Sequence, residues 1–391
     1  MRSSDLSSGS NVSGATASSK LVHLECARGI ASVIVIFNHF CVAFLPGMKT
    51  SFMNGGLQLT PVYFILNGSG AVIFFFLLSG FVLTQGFFRN PAPVALLRSV
   101  VKRLPRLMLP VSVTIMAGFL ILKSGSAPYQ LAAEISGSQW LHDFGNAKFP
   151  QGFTPTLASA VQQFLSVFLF SNNSYYNSNL WTMRDEFLGS LLVFAISAVF
   201  LYRRFRAASV MIPAHLGLIV ASFFLHIAFV PFLVGSGLAY LMVVQNLTFT
   251  VSNRQAIVLL CAAAMAFSVD NLPVVGILPA VFGSVLVMVA LLGNAGLAEK
   301  LSGKYGLLLG QLSFPLYLVH TLVIMSLASA VVVWLTGLGI SYGVVVLVAF
   351  AVTLAATAVF SMPLVRLESF WVPWLNGYVR DVTKLPARLQ H

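Results

Sequence analysis

The stretch Arg28–Phe40, which reads RGIASVIVIFNHF, indicates both the fold of the chain and the position of a site. Its centre is a run of isoleucine, valine and phenylalanine that suits the hydrocarbon core of a bilayer. It begins with an arginine, however, and it carries Asn38 and His39 near its end. Polar groups inside a membrane helix are costly and usually face the bundle interior, so these residues are candidate functional groups.

The composition of the whole chain extends this interpretation. Of the 391 residues, 58% are hydrophobic and only 8% are charged, and the mean hydropathy is +0.90. A soluble domain of this size exposes far more polar surface. Apolar runs of about 20 residues, the length that crosses a bilayer, recur along the chain as far as Arg366. We therefore predict an all-α integral membrane protein, a polytopic helix bundle.

Interruptions by charged and turn residues divide the apolar sequence into about ten predicted transmembrane helices. Their ranges are 27–46, 62–88, 106–123, 180–202, 208–228, 230–250, 255–271, 275–296, 306–334 and 340–364. If the N-terminus is cytoplasmic, 18 of the 22 basic residues are cytoplasmic, and Lys49, Lys123, Lys148 and Arg184 lie outside. This distribution follows the positive-inside rule. It explains the net charge of +12 without a nucleic acid partner.

The chain leaves little sequence outside the membrane region, which we assign to residues 21–370. Residues 1–20 are rich in serine, glycine, threonine and asparagine and predict a disordered tail. Residues 371–391 predict a cytoplasmic C-terminal tail. The long connection over residues 124–179 contains aromatic and apolar groups and predicts a segment along the outer membrane surface. It is either a lid over a site or a cover for the inner bundle.

The first predicted helix carries two ionisable residues on nearly the same face. Arg28 and His39 are eleven residues apart, which is about 16 Å along a helix axis. Glu25 lies one turn before Arg28 and can pair with it. These residues suggest a path from the cytoplasmic mouth to mid-membrane. An arginine at the lipid interface and a histidine bonded to another helix explain them equally well.

Two further motifs are ambiguous when taken singly. FFFLLSGFVLT, residues 74–84, places Ser79 and Gly80 in an aromatic run, where small residues more often permit close helix packing than ligand approach. The cations in KRLPRLMLP, residues 102–110, suit the phosphates of a nucleotide-like cofactor, lipid headgroups or simple topology signalling. These cations are Lys102, Arg103 and Arg106.

Carboxylate and imidazole groups lie in two later helices. LWTMRDEFLGSLL, residues 180–192, carries Asp185, which we expect to reach solvent, and Glu186, which points into the apolar continuation. A buried glutamate is either paired with a cation or partly protonated. SFPLYLVHTLVI, residues 313–324, carries Tyr317 and His320 one turn apart.

Three residues from three helices, His39, Glu186 and His320, predict a general-base site or a proton relay. The sequence lacks the HExxH and GxSxG motifs and any histidine and carboxylate pair at metal-ligand spacing, so we predict no metal and no serine-hydrolase chemistry. The cysteines Cys26, Cys41 and Cys261 have no metal or disulfide spacing.

Taken in order, these motifs resemble the acyltransferase family 3 membrane proteins, which O-acetylate bacterial surface sugars and various small molecules. The similar segments are LECARGIASVIVIFNHF, FFFLLSGFVL, KRLPRLMLP, LWTMRDE and LSFPLYLVH, and the resemblance extends from about residue 21 to 370. Each motif is loose, but five in the family's order are specific. The main departures are Glu25 where aspartate is usual and Glu368, which fits its motif only approximately.

The resemblance implies an acyl-CoA donor, most often acetyl-CoA, that enters from the cytoplasm, with no permanently bound cofactor. The residues that would bind this donor are Arg28, Ser79, Arg103 and Arg106. His39 would be the base that takes the proton of the acceptor hydroxyl, and Glu186 would orient or assist it. Tyr317 and His320 would hold the acceptor or the developing oxyanion. Direct transfer and an acyl-histidine intermediate both remain open.

The implied acceptor is a hydroxyl group of a carbohydrate or glycolipid, and the implied location is the bacterial inner membrane, with polysaccharide-assembly proteins as further partners. Trp181 and the loop residue Trp140 either stack on sugar rings or anchor the chain at the interface. A proton-coupled secondary transporter is the alternative, in which His39, Glu186 and His320 relay protons. That alternative predicts a repeat of broken helices in two halves, and the sequence has no such repeat.

Overall fold

The computed structural model describes residues 21–50, 52–125, 128–269 and 276–383, and all regular elements in these ranges are helical. In chain order the α-helices are α1 (Val22–Phe44), α2 (Gly68–Arg89), α3 (Pro93–Ser124), α4 (Tyr129–Ser136), α5 (Gln139–His142), α6 (Leu157–Ser166), α7 (Trp181–Phe200), α8 (Ala208–Leu225), α9 (Val230–Val243), α10 (Asn253–Phe267), α11 (Leu278–Gly293), α12 (Ala295–Leu301), α13 (Lys304–Val323), α14 (Ser329–Gly337) and α15 (Tyr342–Val382). A π-helical turn, Ile324–Ala328, joins α13 to α14. The predicted disordered tail, residues 1–20, lies outside the described residues.

Each predicted membrane helix overlaps a helix of the structure. Among the described residues, six helical segments are long and apolar enough to cross a membrane, namely α1, α2, α3, α8, the continuous α13–α14 segment and α15. A seventh is obtained if α11 and α12, which are bent by 94° at their junction, form one span. Helices α9 and α10 are shorter. These apolar helices identify the protein as an integral membrane protein. The number of ten spans and the cytoplasmic location of the N-terminus stay predictions.

Helix α3 begins earlier than predicted. The sequence suggested a start at residue 106, where the apolar run follows charged and turn residues, but the helix starts at Pro93 and continues through Pro105 and Pro110. Pro93 is at the first helical turn, where a missing N–H is tolerated. In a packed membrane bundle, neighbouring groups satisfy the carbonyls that interior prolines leave free. The cations of this motif therefore lie on a helix.

Helix α15 is longer than predicted. The predicted helix ended at residue 364 and was followed by a tail from residue 371, but α15 continues to Val382. The helix contains Pro363 and Pro373, and it remains continuous through both. The described part of the predicted tail is thus mostly helical, and residues 384–391 lie outside the described residues.

Close helix packing positions the site. Helix α1 packs along α13, and α2 packs along α9. At Gly80 of α2 an added Cβ would meet the backbone of Phe232 in α9, and at Gly235 of α9 it would meet the backbone of Leu77 in α2. A side chain at either glycine would force these helices apart. The predicted packing role is confirmed for Gly80, while the neighbouring Ser79 turns toward a cavity.

Candidate active site

One cavity lies among α1, α2, α3, α7, α13 and α15 and has a volume of about 200 Å³. Its charged and hydroxyl-bearing lining residues are Glu25, Arg28, Ser32, Ser79, Arg103, Arg106, Thr182, Glu186, Ser313, Tyr317 and Glu368. We call it the arginine cavity. It brings together all four residues that the resemblance assigned to the donor. Its three arginines face three glutamates, so its formal charge is close to balanced.

Arg103 and Glu186 form the central ion pair of the arginine cavity. Glu186 Oε1 accepts from Arg103 Nη2, and it also accepts from Ser79 Oγ at 2.8 Å. Arg103 is only 9% exposed, and its Nε has no hydrogen-bond partner among the described residues. Of the two sequence alternatives for Glu186, pairing with a cation is therefore confirmed.

Arg28 connects α1 to α13 at another wall of this cavity. Its Nη2 lies 2.7 Å from Glu25 Oε2, as the sequence predicted, and its Nε donates to Ser313 Oγ at 2.9 Å. Ser32, one turn further along α1, donates to the Ser313 carbonyl at 2.7 Å. Charge-assisted bonds of this kind hold the guanidinium in a defined orientation.

The second cavity, of about 370 Å³, lies beyond Tyr317, and we call it the histidine cavity. Its polar and aromatic lining residues are Asn38, His39, Ser69, Trp140, Asn146, Lys148, Asn172, Ser174, Ser178, Asn179, Trp181 and Tyr317. In the described part of the chain no carboxylate lines it. Tyr317 and Val72 line both cavities, so the two spaces meet at these residues.

His39 and His320 form a hydrogen-bonded pair at the histidine cavity. His39 Nδ1 lies 2.8 Å from His320 Nε2, and the two rings are inclined by 16° with centroids 5.0 Å apart. His320 Nδ1 lies 3.2 Å from the Leu316 carbonyl, which can only accept, so this nitrogen carries the proton. In neutral rings His320 Nε2 then accepts from His39 Nδ1–H. His39 Nε2 is left unprotonated.

Trp140 covers the other face of His39. Their rings are nearly parallel, at 13°, with centroids 5.1 Å apart. Trp140 belongs to α5, and the residue that caps the start of α5 contacts α1: Ser138 Oγ donates to the Val42 carbonyl at 2.6 Å. The long connection thus packs over the predicted base. At the end of α5, hydrogen bonds from Gln139 and His142 lower the pKa of Asp143.

Tyr317 is held at the boundary between the cavities by polar contacts with the start of α7. Its hydroxyl donates to the Asn179 carbonyl at 2.6 Å and lies 2.7 Å from Thr182 Oγ1. The Asn179 side chain donates through Nδ2 to the Tyr317 carbonyl. Asn179 Oδ1 is buried and has no partner within the described ranges. It is available to accept a hydrogen bond from a ligand in the histidine cavity.

The predicted residues thus separate into two groups. His39 and Trp181 line the histidine cavity, and His320 is fully buried behind His39 and does not line it. Glu186, which the sequence suggested would assist the imidazoles, makes its contacts with Arg103 and Ser79 in the arginine cavity.

Asp185 differs from its sequence expectation. It was expected at solvent, but it is only 8% exposed. Its Oδ1 lies 2.8 Å from His226 Nε2 and 3.6 Å from Arg184 Nη1. The expectation was wrong because the connection between α8 and α9, which carries His226, packs against the start of α7.

Residues 21–362 match the sequence profile of the family described as "Acyltransferase domain". The chain belongs to acyltransferase family 3. The match includes the five sequence motifs and both cavities, with Glu368 as the lining residue beyond it. No curated protein sequence and no solved structure matches the chain. Membership in this family and the apolar spans together identify a membrane acyltransferase.

In this family 3 acyltransferase, sequence analysis missed two features of the site. Trp140 was recognised as a loop aromatic, but its contact with His39 was not predicted, because nothing in a loop sequence reports which helix it covers. Asn179 was not singled out at all. The sequence signal was an asparagine directly before the LWT motif, and it gains meaning only from its contact with Tyr317.

Proposed function

We propose that this acyltransferase moves an acyl group, most simply acetyl, from acyl-CoA to a hydroxyl group of a carbohydrate or glycolipid. The observation that carries the proposal is the meeting of two chemically different cavities at Tyr317. One offers guanidinium groups, which suit phosphate and polarised carbonyl oxygens, and the other offers an imidazole, which suits proton transfer. Donor and acceptor would enter from opposite ends and meet at this boundary.

The donor end is assigned to Arg28, Arg103 and Arg106. The unpartnered Nε of Arg103 supports this assignment, because a ligand can take its hydrogen bond without displacing Glu186. Ser79 contributes by donating to Glu186 and thereby helps to hold the Arg103 side chain. On the predicted topology these residues lie toward the cytoplasm, where acyl-CoA is found.

The base is assigned to His39 because its Nε2 is the unprotonated nitrogen of the pair. The acceptor oxygen attacks the thioester carbonyl carbon and forms the new C–O bond, while His39 Nε2 takes the hydroxyl proton. The C–S bond then breaks, and the imidazolium of His39 returns the proton to the leaving CoA thiolate. His320 accepts from His39 Nδ1–H throughout and stabilises the positive charge that develops on the ring.

The acceptor assignment rests on the composition of the histidine cavity. Its amides, hydroxyls and two tryptophans offer the hydrogen bonds and stacking faces that a polyhydroxylated ring uses. Asn179 Oδ1 adds an unpartnered acceptor for a hydroxyl group beside the reacting one. An alkyl alcohol without a second hydroxyl group would leave the buried Asn179 Oδ1 unsatisfied, which is unfavourable.

The proposal is tested with purified protein in nanodiscs and acetyl-CoA labelled in its acetyl group. We expect CoA release that increases when carbohydrate acceptors are added, and label recovered as an ester of the acceptor. If folded protein neither binds acetyl-CoA nor releases CoA with any acceptor, the donor assignment is wrong. Proton-coupled transport through His39, Glu186 and His320 then becomes the hypothesis to test.

Replacement of His320 separates its positioning role from packing. We expect His320→Ala to lower kcat by roughly 10- to 100-fold, because His39 loses the acceptor that selects its reactive tautomer. His320→Gln keeps a side-chain carbonyl that can accept from His39 Nδ1–H, and we expect it to recover much of the rate. KM for acyl-CoA should stay near the wild-type value in both. Equal losses in the two variants would contradict the positioning role.

A further inference from the structure

His39 becomes positively charged in the proposed transfer step, and this charge has no carboxylate beside it in the described part of the chain. Its electrostatic partners there are His320 and Lys49, and neither is an anion. Lys49 Nζ donates to Asn38 Oδ1 at 2.6 Å, which places an ammonium group next to the neighbour of His39 in α1. Glu186, the carboxylate that the sequence assigned to the imidazoles, lines the other cavity. An imidazolium at His39 therefore depends on neutral groups for its stabilisation.

Trp140 presents its aromatic face to His39. The two rings are nearly parallel, at 13°, and their centroids are 5.1 Å apart. The face of an aromatic ring carries negative potential, and a cation within about 6 Å of the ring centroid is attracted to it, most strongly by tryptophan. The contact therefore favours the imidazolium of His39 over the neutral ring.

The short helix α5 and the residue after its end hold the indole in this position. Leu141 and Phe144 follow Trp140 and are completely buried in an apolar cluster with the end of α1. The Gly145 N–H donates to the Trp140 carbonyl at 2.7 Å. Gly145 has a φ of +74°, which favours glycine, and an added Cβ there would meet Ser178 Oγ. The backbone that carries the indole is thus fixed against both α1 and the wall of the histidine cavity.

We propose that Trp140 is a positioning residue whose indole face stabilises the imidazolium that forms on His39 during acyl transfer, an inference that rests on the proposed function. The proton that charges His39 comes from the acceptor hydroxyl and leaves with the CoA thiolate, so Trp140 neither gains nor loses a proton. The attraction grows as the charge develops, and it therefore lowers the barrier without binding a substrate more tightly. Trp140 lies outside the five motifs that indicated the family.

A stacking platform for the acceptor is the competing role, because Trp140 also lines the histidine cavity. The indole face that meets His39 cannot hold a sugar ring at the same time. The two roles also differ in their kinetics. Loss of a platform raises KM for the acceptor, whereas loss of an interaction made only in the transition state lowers kcat.

The test replaces Trp140 by tryptophans with one to four ring fluorine atoms, which keep nearly the same shape. Purified protein in nanodiscs is assayed with acetyl-CoA and with the methyl glycoside of glucose, galactose or rhamnose that gives the fastest CoA release. Fluorine weakens the attraction of the ring for a cation, so kcat should fall stepwise, to about one tenth with the fully fluorinated ring. KM for acetyl-CoA and for the glycoside should stay near the wild-type values.

The same replacement at Trp334 is the matched control. Trp334 is 64% exposed on α14 and lines neither cavity, so its fluorination should leave kcat unchanged. Equal losses of kcat at Trp140 and Trp334 would contradict the proposal.

Conventional variants provide a second, independent readout. Trp140→Leu fills the space without an aromatic face, and we expect kcat to fall about tenfold; Trp140→Phe keeps a face and should recover much of the rate. In the His39→Ala background, Trp140→Leu should cause no further loss, because the group through which Trp140 acts is already absent.

Three results would overturn the inference. They are a constant kcat across the fluorinated series, a rise in KM for the glycoside in place of the fall in kcat, and a further loss from Trp140→Leu in the His39→Ala background. If the wild-type protein neither binds acetyl-CoA nor releases CoA with any acceptor, the proposed function itself is wrong, and this inference is wrong with it.

Discussion

Replacement of His39 by alanine is expected to lower kcat for acyl transfer by roughly 10²- to 10⁴-fold, the usual contribution of a general base. KM for acyl-CoA should change little, because His39 lines the histidine cavity and the arginines proposed to bind the donor line the other cavity. The measurement is the rate of CoA release at saturating acceptor. A loss in kcat with an unchanged KM for the donor would assign His39 to the chemical step.

Two further variants make this prediction specific. His142→Ala removes an exposed histidine two residues after Trp140, with a side chain that is 56% exposed, and should keep the wild-type rate. His39→Gln can still donate to His320 through its amide, so it should fold like the wild type and remain nearly inactive. An active His39→Gln protein would show that proton transfer does not depend on the imidazole.

Disruption of the Arg103–Glu186 pair should have the largest effect on stability. Both side chains are largely buried, with exposed fractions of 10% and 14%. Arg103→Met leaves the Glu186 carboxylate buried without its cation, and removing one partner of a buried pair costs about 3–5 kcal/mol. The Arg103→Met/Glu186→Met double variant has no uncompensated charge and should recover most of this loss. Thermal unfolding of the purified variants measures the difference.

Measurements of donor binding distinguish the structural role of this pair from its proposed role in binding the donor. The double variant should be stable yet bind acyl-CoA poorly, because no guanidinium remains at this position. Arg103→Lys keeps the charge but loses the forked donor geometry, so we expect near-native stability and a raised KM for acyl-CoA. Arg89→Met removes an exposed arginine of α2 and serves as the control. A wild-type KM in Arg103→Lys would contradict the donor role.

The helix boundaries show where local pattern is sufficient and where it fails. Every predicted apolar range overlaps a helix, because apolar run length is a local property that bilayer thickness imposes. The start of α3 and the end of α15 were misplaced because the prediction treated Pro105 and the charges after residue 364 as boundaries. In the bundle, packing against neighbouring helices keeps both segments helical.

The sequence identified residues of the candidate site but not which of them contact each other. Ionisable residues in apolar helices are conspicuous in sequence, so Arg28, His39, Glu186 and His320 were identified from the sequence. The sequence does not state which helix faces which. It therefore suggested that Glu186 assists the histidines, whereas the fold brings it to Arg103 and Ser79.

The sequence by itself determined that this protein is a helical membrane acyltransferase and which polar residues are candidates for its site, since hydropathy and motif order are read along one chain. Only the tertiary structure decided the separation into two cavities, the contact of Trp140 with His39 and the pairing of Glu186 with Arg103. These features depend on contacts between residues far apart in sequence. Such contacts follow from how whole helices pack, which no local pattern encodes.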